Sequence, residues 1–445
     1  YAMTLISTRI LLGAAGAAGG SSHWLLDAGT NSNDFPRSLT LDSSGNIYIV
    51  GYAFIGSAYD FFIAKYDNKA SFQWARTLGD GSSKYDQGFD IALDSSNNVY
   101  VAGFKEGSND NYDFILAKYN SSGTIQWQRS LASSVRDLAY GVAVDSSGNA
   151  YITGYTKFSN SDLVIAKYNT SGTIQWQRTL SGSGNDRGYD VAVDSSGNAY
   201  VLGITNSEGA GNQDILLVKY NTSGAIQWQR TLGGSALDSS IKLALDSSGN
   251  PHICGHTETV VSGNGQYDFI TAKYNTSGTL QWQRKLGTSS NTEQATSLRV
   301  DSSGNVYIIG RIPSGSGGAG GEDAFFAKYN SSGTIQWQRS WGGTGTEVGY
   351  DIDVDNSGNI YVLAYTRFTV TGLGGYDIQL LKLPDDGSLT GTYGSYTYGS
   401  TSLTDAAASL TSSTSTLTDA ASSLTSATSS LTDASLTLTS SVTTL

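Results

Sequence analysis

The sequence predicts an all-β fold, a seven-bladed β-propeller with four-stranded antiparallel blades, followed by a C-terminal helical segment. First, a block of about fifty residues recurs seven times. Second, each block holds four short segments rich in β-branched and aromatic residues, separated by Gly, Asn and Ser turns. Third, the fourth segment that the last block lacks is found near the N-terminus, as a closed ring of blades requires.

The clearest landmark of the repeat is the turn Asp-Ser-Ser-Gly-Asn and its close variants. Its spacing is 49 to 55 residues, a period that indicates a radial array of small sheets. The Asp can accept hydrogen bonds from the backbone that follows it, and the Gly supplies a positive φ. The turns begin at Asp42, Asp94, Asp145, Asp194, Asp246, Asp301 and Asp355.

One unit, residues 188–232, illustrates the four predicted strands. They are residues 189–193, 199–203, 214–220 and 225–232. Their lengths and their β-branched and aromatic content are typical of propeller strands.

The third strand opens with Asp in every block and carries Lys five residues later. We interpret these residues as capping and blade-to-blade contacts. A ring of catalytic carboxylates is the alternative, but a catalytic site breaks the symmetry of a repeat and these residues follow it. The pairs begin at Asp60, Asp113, Asp162, Asp214, Asp268, Asp323 and Asp377.

The fourth strand is marked by Trp in six blocks, 18 to 20 residues before the next turn Asp. Trp24 lies 18 residues before Asp42, so residues 22–28 are predicted to be the fourth strand of the last blade. This arrangement closes the ring and removes exposed sheet edges.

Together these motifs resemble the bacterial SBBP β-propeller repeat over residues 22–383, and they are similar in layout to NHL-type propellers. The resemblance implies the fold and leaves activity open, because such propellers serve many roles. The Gly/Ala-rich segment 1–21, together with His23 and Trp24, looks like the start of virion structural proteins of marine tailed phages. We expect it to be an attachment segment.

After a linker at residues 384–402, Leu recurs every seven residues through residues 403–445. A sustained heptad suggests a coiled coil, although Ser and Thr are poor helix formers. A lone helix of this composition needs partners, either copies of itself or a host surface, and a disordered tail is the alternative. The segment is also similar to parts of phage fibre proteins. The expected oligomerisation residues are Leu403, Leu410, Leu417, Leu424, Leu431, Leu438 and Leu445.

Composition excludes several classes of function. The net charge of −12 disfavours nucleic-acid binding. The single cysteine, Cys254, allows no intramolecular disulfide. His252, Cys254 and His256 alternate on one predicted strand, where packing is favoured over a metal site. No apolar run approaches the roughly 20 residues of a membrane span. We expect no cofactor, no metal and no membrane insertion.

Binding is expected in the loops between the second and third strands, since they vary in length and chemistry while the turns on the opposite face are constant. Solvated loops without a partner are the alternative. No catalytic constellation is evident, and the chain is predicted not to be an enzyme. The candidate contact residues are Glu208, Glu258, Tyr267, Arg311, Glu322, Arg367 and Tyr376.

The leading functional hypothesis is a virion appendage, a fibre, spike or capsid knob, in which a propeller head on an oligomeric stalk contacts a host surface glycan. The chain would assemble with itself through the heptads and with other virion proteins. Its location would be the virion surface. A bacterial extracellular or cell-surface adhesion propeller is the first alternative. A polysaccharide-acting enzyme using channel carboxylates such as Asp190 and Asp351 is the second.

Overall fold

The computed structural model forms a ring of seven β-sheets, the blades, and every regular element in the part it describes is a strand. No helix able to cross a bilayer is found in that part. The described residues are 11–12, 23–30, 32–79, 84–107, 111–157, 160–209, 212–258, 267–288, 291–314, 320–367, 375–393, 396–401, 403–407, 411–414, 418–421, 425–428, 432–435 and 439–444.

Each blade has four antiparallel strands, and the blades are numbered 1 to 7 along the chain. The first, innermost strands of blades 1 to 7 are Asp34–Leu41, Asp86–Leu93, Asp137–Val144, Asp186–Val193, Asp238–Leu245, Gln294–Val300 and Glu347–Val354. The second strands are, in the same order, Ile47–Ile55, Val99–Glu106, Ala150–Lys157, Ala199–Thr205, Pro251–Thr257, Val306–Ile312 and Ile360–Thr366. The third strands are Ala58–Tyr66, Tyr112–Tyr119, Ser161–Tyr168, Asp214–Tyr220, Asp268–Tyr274, Asp323–Tyr329 and Asp377–Leu383. The fourth strands are Phe72–Gly79, Ile125–Ala132, Ile174–Ser181, Ile226–Gly233, Leu280–Gly287, Ile335–Gly342 and Trp24–Gly29.

The N-terminal strand closes the ring, as the Trp spacing predicts. Trp24–Gly29 pairs antiparallel with the third strand of blade 7, with Trp24 opposite Lys382 and Ala28 opposite Ile378. The innermost strand of blade 7 also contacts that of blade 1, so the strands around the channel form an unbroken circle. The blades pack through apolar clusters between neighbouring sheets, and the closing strand is buried along its whole length.

The Asp-Ser-Ser-Gly-Asn turn is held by its own Asp. In blade 1, Asp42 Oδ1 accepts hydrogen bonds from the backbone N–H of Ser44 at 3.0 Å and of Asn46 at 2.9 Å. Asn46 Nδ2 donates to Asp42 Oδ2 at 2.8 Å, and Gly45 has a φ of 76°. The same bonds recur in the other blades, which makes this a structural motif on the constant face.

The third-strand Lys packs onto this turn, which explains its recurrence. Lys273 Nζ lies 3.0 Å from Asp246 Oδ2 in blade 5. In blade 2, Lys118 Nζ lies 3.5 Å from Asp94 Oδ2 and 4.8 Å from the ring centre of Tyr100. In blades 2 to 5 the repeated Lys therefore pairs with the turn Asp of its own blade, whereas in blade 6 Lys328 pairs with Asp385.

Each fourth strand of blades 1 to 6 clamps the following blade with its Trp and Arg. In blade 2, Trp127 Nε1 donates to the carbonyl of Thr170 at 3.0 Å, and Arg129 Nε donates to that of Gly172 at 2.7 Å. The indole lies against Gly172, where an added Cβ would stand 2.9 Å from Trp127 Cδ2. In the fourth strand of blade 7, Leu26 occupies the position equivalent to this Arg.

We expect Gly172→Ala to destabilise the protein by about 2–3 kcal/mol. A left-handed backbone costs a non-Gly residue roughly 1–2 kcal/mol, and the indole of Trp127 must also move. Gly56 is the matched control, because its φ of 68° is also positive but no atom lies within 4 Å of an added Cβ. Gly56→Ala should lose only the roughly 1–2 kcal/mol that a left-handed backbone costs a non-Gly residue. Chemical denaturation of the two variants checks this, and equal losses would contradict the clamp.

The C-terminal segment forms short strands, so the prediction of a helix is wrong for the described residues. Six strands lie at Thr404–Ala407, Thr411–Thr414, Thr418–Ala421, Thr425–Thr428, Thr432–Ser435 and Thr439–Thr444. They pair with the outer edges of the fourth strands of blades 5, 4, 3, 2, 1 and 7, in that order. β-branched Thr favours strand over helix, and these edges offer unpaired backbone groups. We call these strands and the preceding Tyr396–Ser400, on blade 6, the belt.

Of the expected oligomerisation residues, Leu403 is buried against blades 5 and 6 of its own chain. The others lie outside the described residues. They are Leu410, Leu417, Leu424, Leu431, Leu438 and Leu445.

Candidate functional site

A β-bulge occurs at the same place in every innermost strand and shapes the central channel. In blade 2 the pairing register shifts between Gly88 and Asp90, so Phe89 is the extra residue. The bulge sends this residue to the channel mouth on the variable-loop face and leaves the next residue at the channel waist. The mouth residues are Arg37, Phe89, Tyr140, Tyr189, Ile241, Thr296 and Tyr350. The waist residues are Ser38, Asp90, Gly141, Asp190, Lys242, Ser297 and Asp351.

The mouth residues enclose a cavity of about 360 Å³, with aromatic side chains from blades 2, 3, 4 and 7 and with Arg37 of blade 1 between them. The ring centres of Phe89 and Tyr140 are 4.9 Å apart, and those of Tyr140 and Tyr189 are 5.5 Å apart. The guanidinium of Arg37 lies 5.2 Å from the ring centre of Phe89 and 5.1 Å from that of Tyr350. Blades 5 and 6 contribute the smaller Ile241 and Thr296, so the wall is an arc open on one side.

Lys242 crosses the channel beneath this cavity. It belongs to blade 5, yet its Nζ lies 2.9 Å from Oδ1 of Asp90 in blade 2. The same Nζ is 3.5 Å from Asp190 Oδ1 in blade 4. The ammonium group therefore divides the channel into two compartments, and its partners hold it in place.

The waist carboxylates also join neighbouring blades through backbone hydrogen bonds. Asp90 accepts from the N–H of Val142 at 2.8 Å, and Asp190 accepts from that of Leu243 at 2.7 Å. Asp351 accepts from the N–H of Leu39 at 2.8 Å and thereby bonds blade 7 to blade 1.

The hydroxyl groups of Ser38 and Ser297 complete the coordination of Asp351. Ser38 Oγ donates to Asp351 Oδ2 at 2.7 Å, and Ser297 Oγ donates to Asp351 Oδ1 at 2.5 Å. These carboxylates therefore have a structural role, because they hydrogen-bond neighbouring blades to each other.

Burial and the mutual attraction of these groups set their charges. Burial raises the pKa of Asp190 and outweighs the opposing effect of Lys242. Burial acts to lower the pKa of Lys242, but attraction to Asp190 and Asp90 exceeds it, so this pKa is raised. Lys242 therefore stays protonated and is a poor general base.

An aromatic cluster continues outward from the mouth over the junction of blades 7 and 1. Phe35 lies 5.1 Å from Tyr376 and 5.9 Å from Tyr59, measured between ring centres. Tyr59 in turn stacks on Tyr85 at 5.8 Å, and the side chain of Tyr85 is 43% exposed. The variable-loop face thus offers aromatic surface from the channel to its rim.

The structure brings the predicted loop residues together only in part. Arg311 and Glu322 form an ion pair at 3.0 Å in blade 6. Arg367 lies over the ring of Tyr376 at 5.5 Å, and Tyr376 belongs to the aromatic cluster.

The remaining predicted loop residues stay with their own blades. Tyr267 packs edge-on against His256 at 4.9 Å. Glu208 and Glu258 are half-buried near Asp186 and Asp238 respectively, whose pKa values they help to raise. These three residues are not among those that line the mouth cavity.

The alternating His252, Cys254 and His256 have separate packing roles. His252 is buried edge-on against Trp282 at 5.8 Å, and Cys254 lies opposite Lys242 in the sheet. Burial lowers the pKa of His252 and of His256 to about 4. Within the described residues no cluster of three or more potential metal ligands occurs.

Sequence reasoning missed the mouth residues because a bulge cannot be read from alternating polarity. A signal was present nonetheless. Gly88, Gly188 and Gly349 each precede an aromatic residue inside a predicted strand, and Gly within a strand often marks a bulge.

Comparison with known proteins supports the fold. Residues 19–53, 73–103, 132–160 and 175–209 match the model of the SBBP beta-propeller repeat, so the chain carries SBBP repeats. The regulatory protein FlaEY of Caulobacter vibrioides is 26% identical over 143 residues, 28% of this chain. The match spans only 15% of the length of that curated relative.

Among solved structures, a PL25 polysaccharide lyase, an ulvan lyase, matches with a TM-score of 0.50 at 10% identity. The match covers 81% of this chain and 96% of that one. Sqt1 of Chaetomium thermophilum matches with a TM-score of 0.43 at 9% identity, over 83% and 99% of the respective chains. At such identities the likeness is one of fold alone.

Proposed function

We propose that this propeller is a non-enzymatic recognition module that binds a carbohydrate at the variable-loop mouth of its channel. The observation that carries the proposal is the aromatic arc of Phe89, Tyr140, Tyr189 and Tyr350, with Arg37 among the rings.

The chemistry of the mouth suits a sugar. Tyr presents an apolar ring face and a polar hydroxyl tip, which match the C–H faces and the hydroxyl groups of a pyranose. Ser38, Ser240 and Ser297 line the floor, and since their hydroxyl protons are donated within the protein, their oxygens can only accept hydrogen bonds from a sugar. A cavity of about 360 Å³ lies within the usual range for small-molecule sites.

The arrangement of charges argues against acid–base catalysis. Asp90, Asp190 and Asp351 are engaged in hydrogen bonds between blades. Lys242 is held protonated by two of them. The described residues that line the mouth cavity include no His, and the carboxylate among them, Asp351, accepts hydrogen bonds from Ser38 Oγ and Ser297 Oγ.

We expect Tyr189→Ala to weaken glycan binding about tenfold or more, because an aromatic contact contributes roughly 0.5–1.5 kcal/mol beyond the area that it buries. Thr296→Ala is the matched control, since Thr296 holds the equivalent bulge position on the side without rings. The purified chain would be screened against an array of bacterial surface polysaccharides, and the best ligand titrated into each variant. Equal loss of affinity in both variants would contradict the proposal.

The same array separates binding from catalysis. Products would be followed by mass spectrometry after long incubation with each polysaccharide. Turnover of any of them by the purified chain would contradict a non-enzymatic role and favour the polysaccharide-acting alternative.

We further propose that the module is displayed on a virion, a proposal that rests on the resemblance suggested by the sequence of residues 1–24, with a bacterial cell surface as the alternative carrier. Mass spectrometry and immunogold imaging of purified particles distinguish the two. Absence of the chain from particles together with its presence on cells would exclude the virion.

A further inference from the structure

The belt covers the outer edge of every blade in one register. The Thr after each heptad Leu pairs with the last residue of a fourth strand, for example Thr404 with Gly287 and Thr411 with Gly233. The same pairing holds for Ser181, Ala132, Gly79 and Gly29, opposite Thr418, Thr425, Thr432 and Thr439. One heptad therefore corresponds to one blade.

The belt begins with two buried anchors that lie seven residues apart. Tyr396 is 6% exposed, stacks on Trp341 at 5.2 Å and packs in the cluster between blades 6 and 7. Leu403 is 4% exposed and packs in the cluster between blades 5 and 6, which includes Phe269 and Phe325. Each anchor therefore fills a junction between two blades.

The fourth strand also contacts the belt through a side chain. Gln338 Nε2 donates to the carbonyl of Leu403 at 2.9 Å, and Thr401 Oγ1 donates to Gln338 Oε1 at 2.8 Å. The sequence repeats Gln at the equivalent place of blades 2 to 5, at Gln128, Gln177, Gln229 and Gln283.

We propose that the outer rim of the propeller is a strand-accepting surface whose ligand is the chain's own segment 403–445, with one Leu-Thr heptad recognised by each blade except blade 6, which pairs with the strand that begins at Tyr396. Backbone pairing supplies the general attraction, since the fourth strands are otherwise open edges. The Leu supplies the register, because a slip of one residue turns it to the other face of the strand. The proposal gives the Leu that precedes each of the other five heptad strands in the sequence the same function as Leu403.

The first test nicks the folded full chain at a protease site inserted between Thr401 and Ser402. We expect the released 402–445 fragment to co-elute with its propeller in size-exclusion chromatography, at the mass of one chain. A fragment that elutes alone would overturn the proposal. So would a particle containing two or more propellers, because the belt would then pass between copies.

The second test changes only the phase of the heptads. In a full-length variant each Leu-Thr pair is reversed, as in Leu410→Thr with Thr411→Leu, which keeps composition and charge. We expect the melting temperature to fall by about 5 °C or more and the nicked fragment to dissociate at least tenfold faster. An unchanged melting temperature and an unchanged dissociation rate would show that the leucines set no register.

Discussion

Lys242→Met is expected to destabilise the propeller by about 3 kcal/mol or more, because it removes one partner of a largely buried ion pair. The lysine side chain is 21% exposed, and its ammonium group meets Asp90 at 2.9 Å and Asp190 at 3.5 Å. Without it, two carboxylates remain close together in a narrow channel. Chemical denaturation of the variant and of the natural chain measures the loss.

Two controls identify the charge as the cause. Lys242→Arg keeps a cation at the waist and should lose much less stability. Lys69→Met removes an exposed lysine on the constant face and should have almost no effect. A loss as large for Lys69→Met as for Lys242→Met would contradict the role given to the waist.

The loss of unfolding free energy in Lys242→Met should also depend on pH. Burial already raises the pKa of Asp190, and removal of the cation raises it further. The unfolded chain releases this proton near pH 4, whereas the folded variant keeps it to higher pH. The free energy of unfolding of the variant therefore falls as pH rises from about 4 through the folded pKa. The difference in this free energy between the variant and the natural chain is consequently larger at pH 8 than at pH 5. A loss of unfolding free energy that does not depend on pH would indicate that lost side-chain packing, rather than charge, is the cause.

Trp24→Ala should cost about 3–5 kcal/mol, the usual range for removing a large aromatic side chain from a core. Trp24 is 6% exposed and packs edge-on to Tyr361 at 6.1 Å. It belongs to the strand that closes the ring, so opening blade 7 should also separate the unfolding transitions seen by fluorescence and by circular dichroism.

Trp127→Ala provides the comparison for Trp24. Trp127 is half-buried, and its loss removes a bond to Thr170 and the contact with Gly172. We expect a smaller cost and a single transition. If Trp127→Ala lowered the free energy of unfolding more than Trp24→Ala does, the blade closed by the N-terminal strand would not be the junction on which stability depends most.

The repeat made the blades and their closure predictable, because each is encoded locally. The turn Asp and the following Gly, replaced by Asn97 in the second block, determine a tight turn, and the spacing of Trp24 identifies the displaced strand. The ion pair between Lys242 and Asp90 joins residues 152 positions apart across the channel, so no local pattern reports it. The bulges that place Phe89 and Tyr140 at the mouth interrupt the alternation on which strand prediction relies.

The belt was misassigned for a different reason. A seven-residue period of Leu fits a helical seam, but in this chain it matches the step from one blade to the next. Sequence periodicity records the spacing of the surface that a segment contacts. That surface is known only once the fourth strands are seen to pair, at their outer edges, with the six short strands from Thr404–Ala407 to Thr439–Thr444.

The most direct test of the proposed function is a crystal structure of the chain with the best glycan from the array. We predict density for a sugar ring stacked on Tyr140 or Tyr189, above the ammonium group of Lys242, within the mouth cavity. Density confined to the constant face, at the Asp-Ser-Ser-Gly-Asn turns, or on the outer rim would contradict recognition at the channel mouth.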